Sequence, residues 1–182
     1  MKRASARIHI VGASGSGTTT LGAALAAATG SVHLDTDDYF WMPTDPPFTT
    51  RRPADERLRL LTAELDRHAS WVLAGSLLDW GNVLIPRFTL VVFLYLPPDI
   101  RIERLRKRER QRYADAIDPG GSMHASHGEF IAWAKGYDDP AFEGRSLARH
   151  RAWLERLPCP VLEISGTPAV EDSVARVLLA AS

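Results

Sequence analysis

The sequence predicts an α/β fold, a five-stranded parallel sheet covered by helices on both faces, and three observations carry that expectation. Strand-sized apolar segments rich in β-branched residues recur along the 182 residues with helical patterns between them, the alternation expected of a parallel sheet. One of them, LVVFLYL at 90–96, is apolar throughout, as a central strand buried on both faces must be. A glycine-rich turn follows the first of these segments and opens an alanine-rich helix.

In chain order, RIHIVG (7–12), SVHLD (31–35), WVLAG (71–75), LVVFLYL (90–96) and PVLEIS (160–165) are the expected strands. Helices are expected over 18–28, 54–68, 98–112, 127–137, 143–156 and 168–181. Two segments resist regular assignment. YFWMPTDPPFTTRRP (39–53) is dense in Pro, Thr and aromatics, and YADAIDPGGSMHASHG (113–128) carries an Asp-Pro-Gly-Gly turn. Loops of this length in a compact domain are usually functional. Right-handed crossovers place the loops that follow the strands along one edge, where a ligand sits in folds of this kind.

The length suits one domain spanning 1–182 and is short for two. Basic and acidic residues number 22 each, a formal net charge of zero, so no whole-molecule field points to nucleic acid or a membrane. The single cysteine, Cys159, has no partner for an internal disulfide and reads as a small buried hydrophobe. No apolar run approaches the roughly 20 residues that span a bilayer, and MKRASARIHIVG runs into a strand without a signal-peptide core. A cytoplasmic protein is the expectation.

After the first strand come Gly12, four residues, Gly17, Thr18 and Thr19. This is the spacing of the phosphate loop GxxxxGK[ST], in which backbone N–H groups cradle a β-phosphate and the following helix N-terminus adds partial positive charge. Thr19 falls where a hydroxyl coordinates Mg²⁺, and Thr18 or Thr20 can cap the helix or donate to a phosphate. The alternatives are a plain strand-to-helix turn and a dinucleotide fingerprint, but glycines at 12, 15 and 17 do not fit the order of the latter.

The second strand runs into HLDTDDYFW. Asp35 and Asp37, two apart, leave the strand tip on one side while Thr36 points away. A carboxylate there can orient or deprotonate a hydroxyl, or hold a metal-bound water; the alternative is a helix cap or solvated turn. Asp38 is the weaker candidate of the three. Tyr39, Phe40 and Trp41 can stack on a planar substrate or belong to the core. Arg51 and Arg52 suit an anion bidentately, or form a solvated pair. Gly75 ends the third strand, where a close ligand approach needs glycine.

PPDIRIERLRKRERQRY places Arg101, Arg104, Arg108 and Arg112 in one stripe at helical spacing, with Arg106 and Arg110 in a second row. Glu103 and Glu109 offset part of that charge, so an exposed helix laced with weak ion pairs is one reading. A lid is the other, because the helix leads into the long glycine-containing segment and lid arginines stabilise a transferring phosphoryl group. His124 and His127 lack a cysteine or carboxylate at ligand spacing and carry no metal site.

Taken together, VGASGSGTTTLG, LDTDDYFW, WVLAGS, LVVFLYLP followed by RIERLRKRERQRY, and EISGTPAVEDSV resemble the P-loop small-molecule and nucleotide kinases, the adenylate-kinase-like and shikimate-kinase-like group, over nearly the full chain. The resemblance implies a three-layer α/β/α P-loop NTPase fold with a substrate-binding insertion at about 39–53 and a lid at about 104–128. It implies ATP, with GTP possible, Mg²⁺, and a small-molecule acceptor. Carried over, Gly12, Ala13, Ser14, Gly15, Ser16, Gly17, Thr18, Thr19 and Thr20 would hold the triphosphate, and Gly166 and Thr167 would lie against the base. Thr19 and Asp35 would hold the metal. Asp35, Asp37, Arg104 and Arg108 would serve catalysis, while Asp37, Arg51, Arg52 and Gly75 would face the acceptor.

This sequence departs from the family at Thr18, where the family's lysine bridges β- and γ-phosphates. Only three lysines exist, Lys2, Lys107 and Lys135. Lys2 is too near the terminus and Lys107 faces away from the arginine stripe. Lys135, after the lid segment, or an arginine of the stripe remains to replace the charge. The expected function is transfer of the γ-phosphoryl of ATP to a small molecule. The alternative is a nucleotide-binding sensor or scaffold without efficient transfer, and an NAD-binding domain is the weakest reading.

Overall fold

The computed structural model describes residues 6–182, so Lys2 lies outside the described residues. Strands β1 (Arg7–Gly12), β2 (Val32–Asp35), β3 (Trp71–Ala74), β4 (Leu90–Tyr95) and β5 (Val161–Ser165) pair in parallel in the order β2-β3-β1-β4-β5. The helices are α1 (Thr18–Thr29), α2 (Thr36–Phe40), α3 (Ala54–Asp66), α4 (Pro98–Tyr113), α5 (His124–Lys135), α6 (Leu147–Leu154) and α7 (Val170–Ala180).

Alternation along the strands builds two cores. Ile8 and Ile10 of β1 join Val72, Val92, Ile164 and the helical Leu21, Leu25 and Val177, which seats α1 and α7 on one face. Val11 joins Leu73, Val91 and Phe93 with Leu61, Leu65 and Trp153, which seats α3 and α6 on the other. Period-two side chains on a sheet covered on both faces require this division. The α1 crossover moves the chain from β1 past β3 to β2, and α3 brings it back. Opposite directions of travel with right-handed crossovers put these helices on opposite faces. β1 is central, so its C-terminal end opens onto the edge where the neighbouring loops converge.

His9, in the middle of β1, is fully buried between Phe88, stacked at 4.9 Å, and Trp153, edge-on at 5.8 Å. Burial pushes its pKa down to about 4, against a hydrogen bond with the Leu73 carbonyl that raises it. The ring is therefore neutral at pH 7 and acts as a packing residue.

The two irregular segments are more ordered than composition suggests. The chain from 41 to 51 doubles back on itself through a Trp41–Arg51 bridge, with Met42 N donating to Thr50 O at 2.8 Å and Arg52 N to Phe40 O at 2.8 Å. Asp35 caps α2, a helix the sequence pattern does not show, by accepting from Asp37 N at 3.0 Å. The segment 113–128 forms a 3₁₀ turn over Ala114–Ile117, and α5 begins at His124, three residues before the expected start.

The arginine stripe also divides. Arg104 and Arg108 are exposed, but Arg101 is fully buried. Its Nε donates to Leu96 O at 3.1 Å, Nη1 to Ala134 O at 3.4 Å, and Nη2 pairs with the Asp138 carboxylate. Arg101 is thus a structural cation, not a member of an exposed ladder. Removing one partner of a buried ion pair leaves the other uncompensated and costs about 3–5 kcal/mol. Arg101→Ala is expected to lose stability on that scale in urea denaturation followed by tryptophan fluorescence; a loss below about 1 kcal/mol would contradict this assignment.

Candidate active site

Gly12 ends β1, and the loop that follows reaches α1 through Gly17, a left-handed N-cap (φ 98°). No side chain caps α1. Its first N–H groups are therefore left for a ligand, the arrangement that binds phosphate. Ser16 N donates to Ala13 O at 3.1 Å to close the turn, and Ser16 Oγ is buried without a hydrogen-bond partner. Helix α4 walls the loop: a Cβ on Gly15 would lie 2.8 Å from the Arg101 carbonyl oxygen. Arg104 Nη1 lies 4.0 Å from where a Gly17 Cβ would stand.

Beside the loop, Thr19 Oγ1 donates to Asp35 Oδ2 at 2.7 Å. The loop hydroxyl and the β2 carboxylate meet because Asp35 is the last residue of β2, in register with Ala74 of β3. Gly75 (φ 103°) then turns the chain over Thr36, whose Oγ1 a Cβ on Gly75 would strike. Only glycine permits both this backbone conformation and this approach.

Asp37 stands next to Asp35, accessible to water yet ringed by charge. Partial desolvation by the surrounding cleft raises its carboxyl pKa, and repulsion from Asp35 adds to this; Arg145 and Arg108 oppose it. Asp38 is also raised, by burial first and Asp35 second. Arg108, although solvent-exposed, loses proton affinity through partial desolvation of its head and through Arg112, with Glu109 and Asp37 restoring part.

The remaining expected residues separate by what already occupies them. Arg52 donates to Tyr39 O, Trp41 O and Glu56, stapling the 41–51 segment to α3. It is a structural staple, whereas Arg51 is exposed. Gly166 and Thr167 are exposed after β5, with Gly166 N donating to Tyr95 O at 3.0 Å. Thr18 is half-buried and Thr20 exposed on the first turn of α1.

Two features lay outside the sequence reading. Arg145, between α5 and α6, donates from Nη2 to Ser14 Oγ at 2.6 Å, on the phosphate loop itself. It is one of nineteen arginines, and nothing in its local sequence sets it apart. The second is a buried chain in which His150 bonds Ser76 at 3.1 Å through Nε2 and Tyr137 at 2.8 Å through Nδ1. Burial pushes the His150 pKa down to about 3, so the imidazole is neutral and moors α6 to the end of β3.

The residues fit a magnesium nucleotide. Among the described residues no three His, Cys, Asp or Glu side chains gather as a metal cage. One hydroxyl and one carboxylate beside a loop of free N–H groups is the donor set of a Mg²⁺ held in part by phosphate oxygens. The orphaned Ser16 Oγ is a further polar group turned to that loop.

Residues 8–119 match the family model described as an AAA domain, and the chain belongs to that family. It is 47% identical over 171 residues, 94% of each chain, to the uncharacterized protein YqaC of Bacillus subtilis. Among solved structures it is similar to shikimate kinase from Acinetobacter baumannii in complex with shikimate, with a TM-score of 0.58 and 16% identity over 97% of this chain and 92% of that one. A gluconokinase from Sinorhizobium meliloti gives 0.53 and 20% over 99% and 93%. The fold is that of the P-loop NTPase small-molecule kinases. Among the described residues, no helix is long and apolar enough to cross a membrane.

A raised carboxyl pKa means that the folded chain disfavours the ionised Asp37. The cost is absent below the ordinary value of 3.8 and is present in full above the folded-state pKa. Asp37→Asn is therefore expected to raise Tm at pH 7, with the gain shrinking as pH falls toward that ordinary value. A Tm difference that grows on acidification would contradict the sign.

Proposed function

We propose, from its family and its kinase-like fold, that this chain is an ATP-dependent phosphotransferase acting on a small-molecule acceptor. The observation that carries the reading is the uncapped phosphate loop opening onto the Thr19–Asp35 pair, with Asp37 alongside and Arg104 and Arg108 above. Bound Mg·ATP, with GTP as the second candidate, supplies the transferable phosphoryl group and the metal charge that neutralises it. The loop amides that the turn leaves free and the α1 terminus bind the phosphates; Gly166 and Thr167 border the base. Thr19 and Asp35 would hold the metal. Asp37 aligns the acceptor hydroxyl and takes its proton, a task that the raised pKa favours by moving the carboxylate toward working pH. Arg104 and Arg108 screen developing phosphoryl charge from the exposed face of α4. Arg51 and Gly75 border the acceptor side. Arg52, spent on internal bonds, does not.

A second reading rests on Thr18, which supplies no cation at the lysine position: a nucleotide-binding module without efficient transfer. Calorimetric titration with ATP and GTP, with and without Mg²⁺, followed by turnover assays over a panel of hydroxyl and phosphate acceptors, separates the two. Magnesium-dependent binding that Thr19→Ala weakens, and turnover that Asp37→Ala lowers by about 10²–10⁴-fold, are the expected results. Tight binding with no turnover on any acceptor would move the assignment to the second reading. Absence of magnesium-dependent nucleotide binding in folded protein would sink both.

A further inference from the structure

Arg145 is packed in a way unlike the arginines around it. Its guanidinium lies over the Trp133 ring at 4.8 Å, and its Nη2 reaches Ser14 Oγ, a neutral hydroxyl on the phosphate loop. Its Nε is buried and meets no acceptor. Among the described residues it forms no ion pair, whereas Arg101 is paired with Asp138 and Arg149 with Asp79. Burial works against its charge, with Asp37 offsetting this from across the cleft. A half-buried cation whose Nε–H is enclosed without an acceptor is electrostatically incomplete until an anion joins it.

Its backbone is anchored. The next residue, Ser146, is buried and caps α6 by accepting from Arg149 N at 3.3 Å, and α6 is tied to β3 through the Ser76–His150–Tyr137 chain. The guanidinium is thus held at the loop by fixed elements, which is what a stationary phosphate ligand requires. The other candidates differ. Lys135 lines a shallow cavity with Pro98, Asp99, Ile102, Glu103 and Arg106, most of which helical spacing turns away from the residues of α4 that touch Gly15 and Gly17. Arg112 is spent on Glu109 and the Phe48 ring. Arg104 is exposed on α4.

We propose that Arg145 is the phosphate-bridging cation of this site, placed on Ser14 at the loop from the far end of the chain in place of the side chain that Thr18 does not provide. The inference rests on the reading of the loop as a Mg·ATP site and specifies how that site is charged.

Titration of Mg·ATP and Mg·ADP into wild type, Arg145→Met, and Arg145→Met with Thr18→Lys tests it. Arg145→Met is expected to weaken ATP by about 10²-fold, the scale of one lost charged contact on a transferring group, and ADP by less. Adding Thr18→Lys is expected to recover about tenfold or more of that loss, because the new ammonium restores a cation to the same phosphates. Arg145→Gln, neutral and polar but too short to reach Ser14 from the anchored backbone, carries the same test if the Met variant does not fold. ATP affinity within about threefold of wild type in a folded Arg145 variant overturns the inference and leaves the kinase reading standing, as does a loss that Thr18→Lys does not relieve. Wild type that binds no ATP removes the kinase reading and this inference with it.

Discussion

The site depends on one buried cation that takes no part in it. Arg101 sits at the foot of α4 with its three guanidinium nitrogens directed at the end of β4, at the last turns of α5 and at Asp138. Its own carbonyl closes against Gly15. A charge buried to this extent is tolerated only when it is paired and hydrogen-bonded, so the elements that bond it have little freedom to move apart. That constraint seats α4 against the phosphate loop and carries Arg104 and Arg108 over the cleft. The Tyr137 ring, packed on the same guanidinium at 5.0 Å, extends the constraint to His150 and α6.

Charge in the cleft is distributed by distance along the chain. The acidic groups come from the β2 end within 3 residues of one another, while the cations come from α4 and from the start of α6. Asp35, already committed to Thr19 and the α2 cap, leaves Asp37 as the carboxylate with unspent acceptor capacity. The end of the cleft beyond Asp37 is closed by contacts between separate segments. Tyr113 at the end of α4 donates to Pro47 O at 3.0 Å, and Arg112 lies over the Phe48 ring at 4.3 Å. The end of the arginine helix and the tip of the 41–51 segment therefore touch across the cleft.

Periodicity made the sheet legible. All five strands fall within a residue of their expected bounds; β1, β3 and β4 are buried on both faces and leave a near-continuous apolar run, while β2 and β5 at the sheet edges were marked by short β-branched segments between turns. The phosphate loop was legible for a different reason: its glycines answer to backbone geometry that is local. Helix α2 was not, since five residues with a side-chain cap have no room for a period. The arginine stripe was read as one face of one helix, yet its first member is buried and its last is engaged by Glu109 and Phe48. Spacing assigns a face, but only the packing of α5 against α4 decides which part of that face meets solvent.

By itself the sequence determined the order of the strands and of the longer helices, the position of the phosphate loop, the Asp35–Asp37 pair beside it and the missing lysine at Thr18, all of which are encoded within a few residues. The tertiary structure alone decided which cations meet the loop. Ser14 and Arg145 are 131 residues apart, and their bond is a product of five strands being ordered so that α6 returns to the end of β1. No local pattern marks such a contact, because its energy comes from elements packed independently on one sheet.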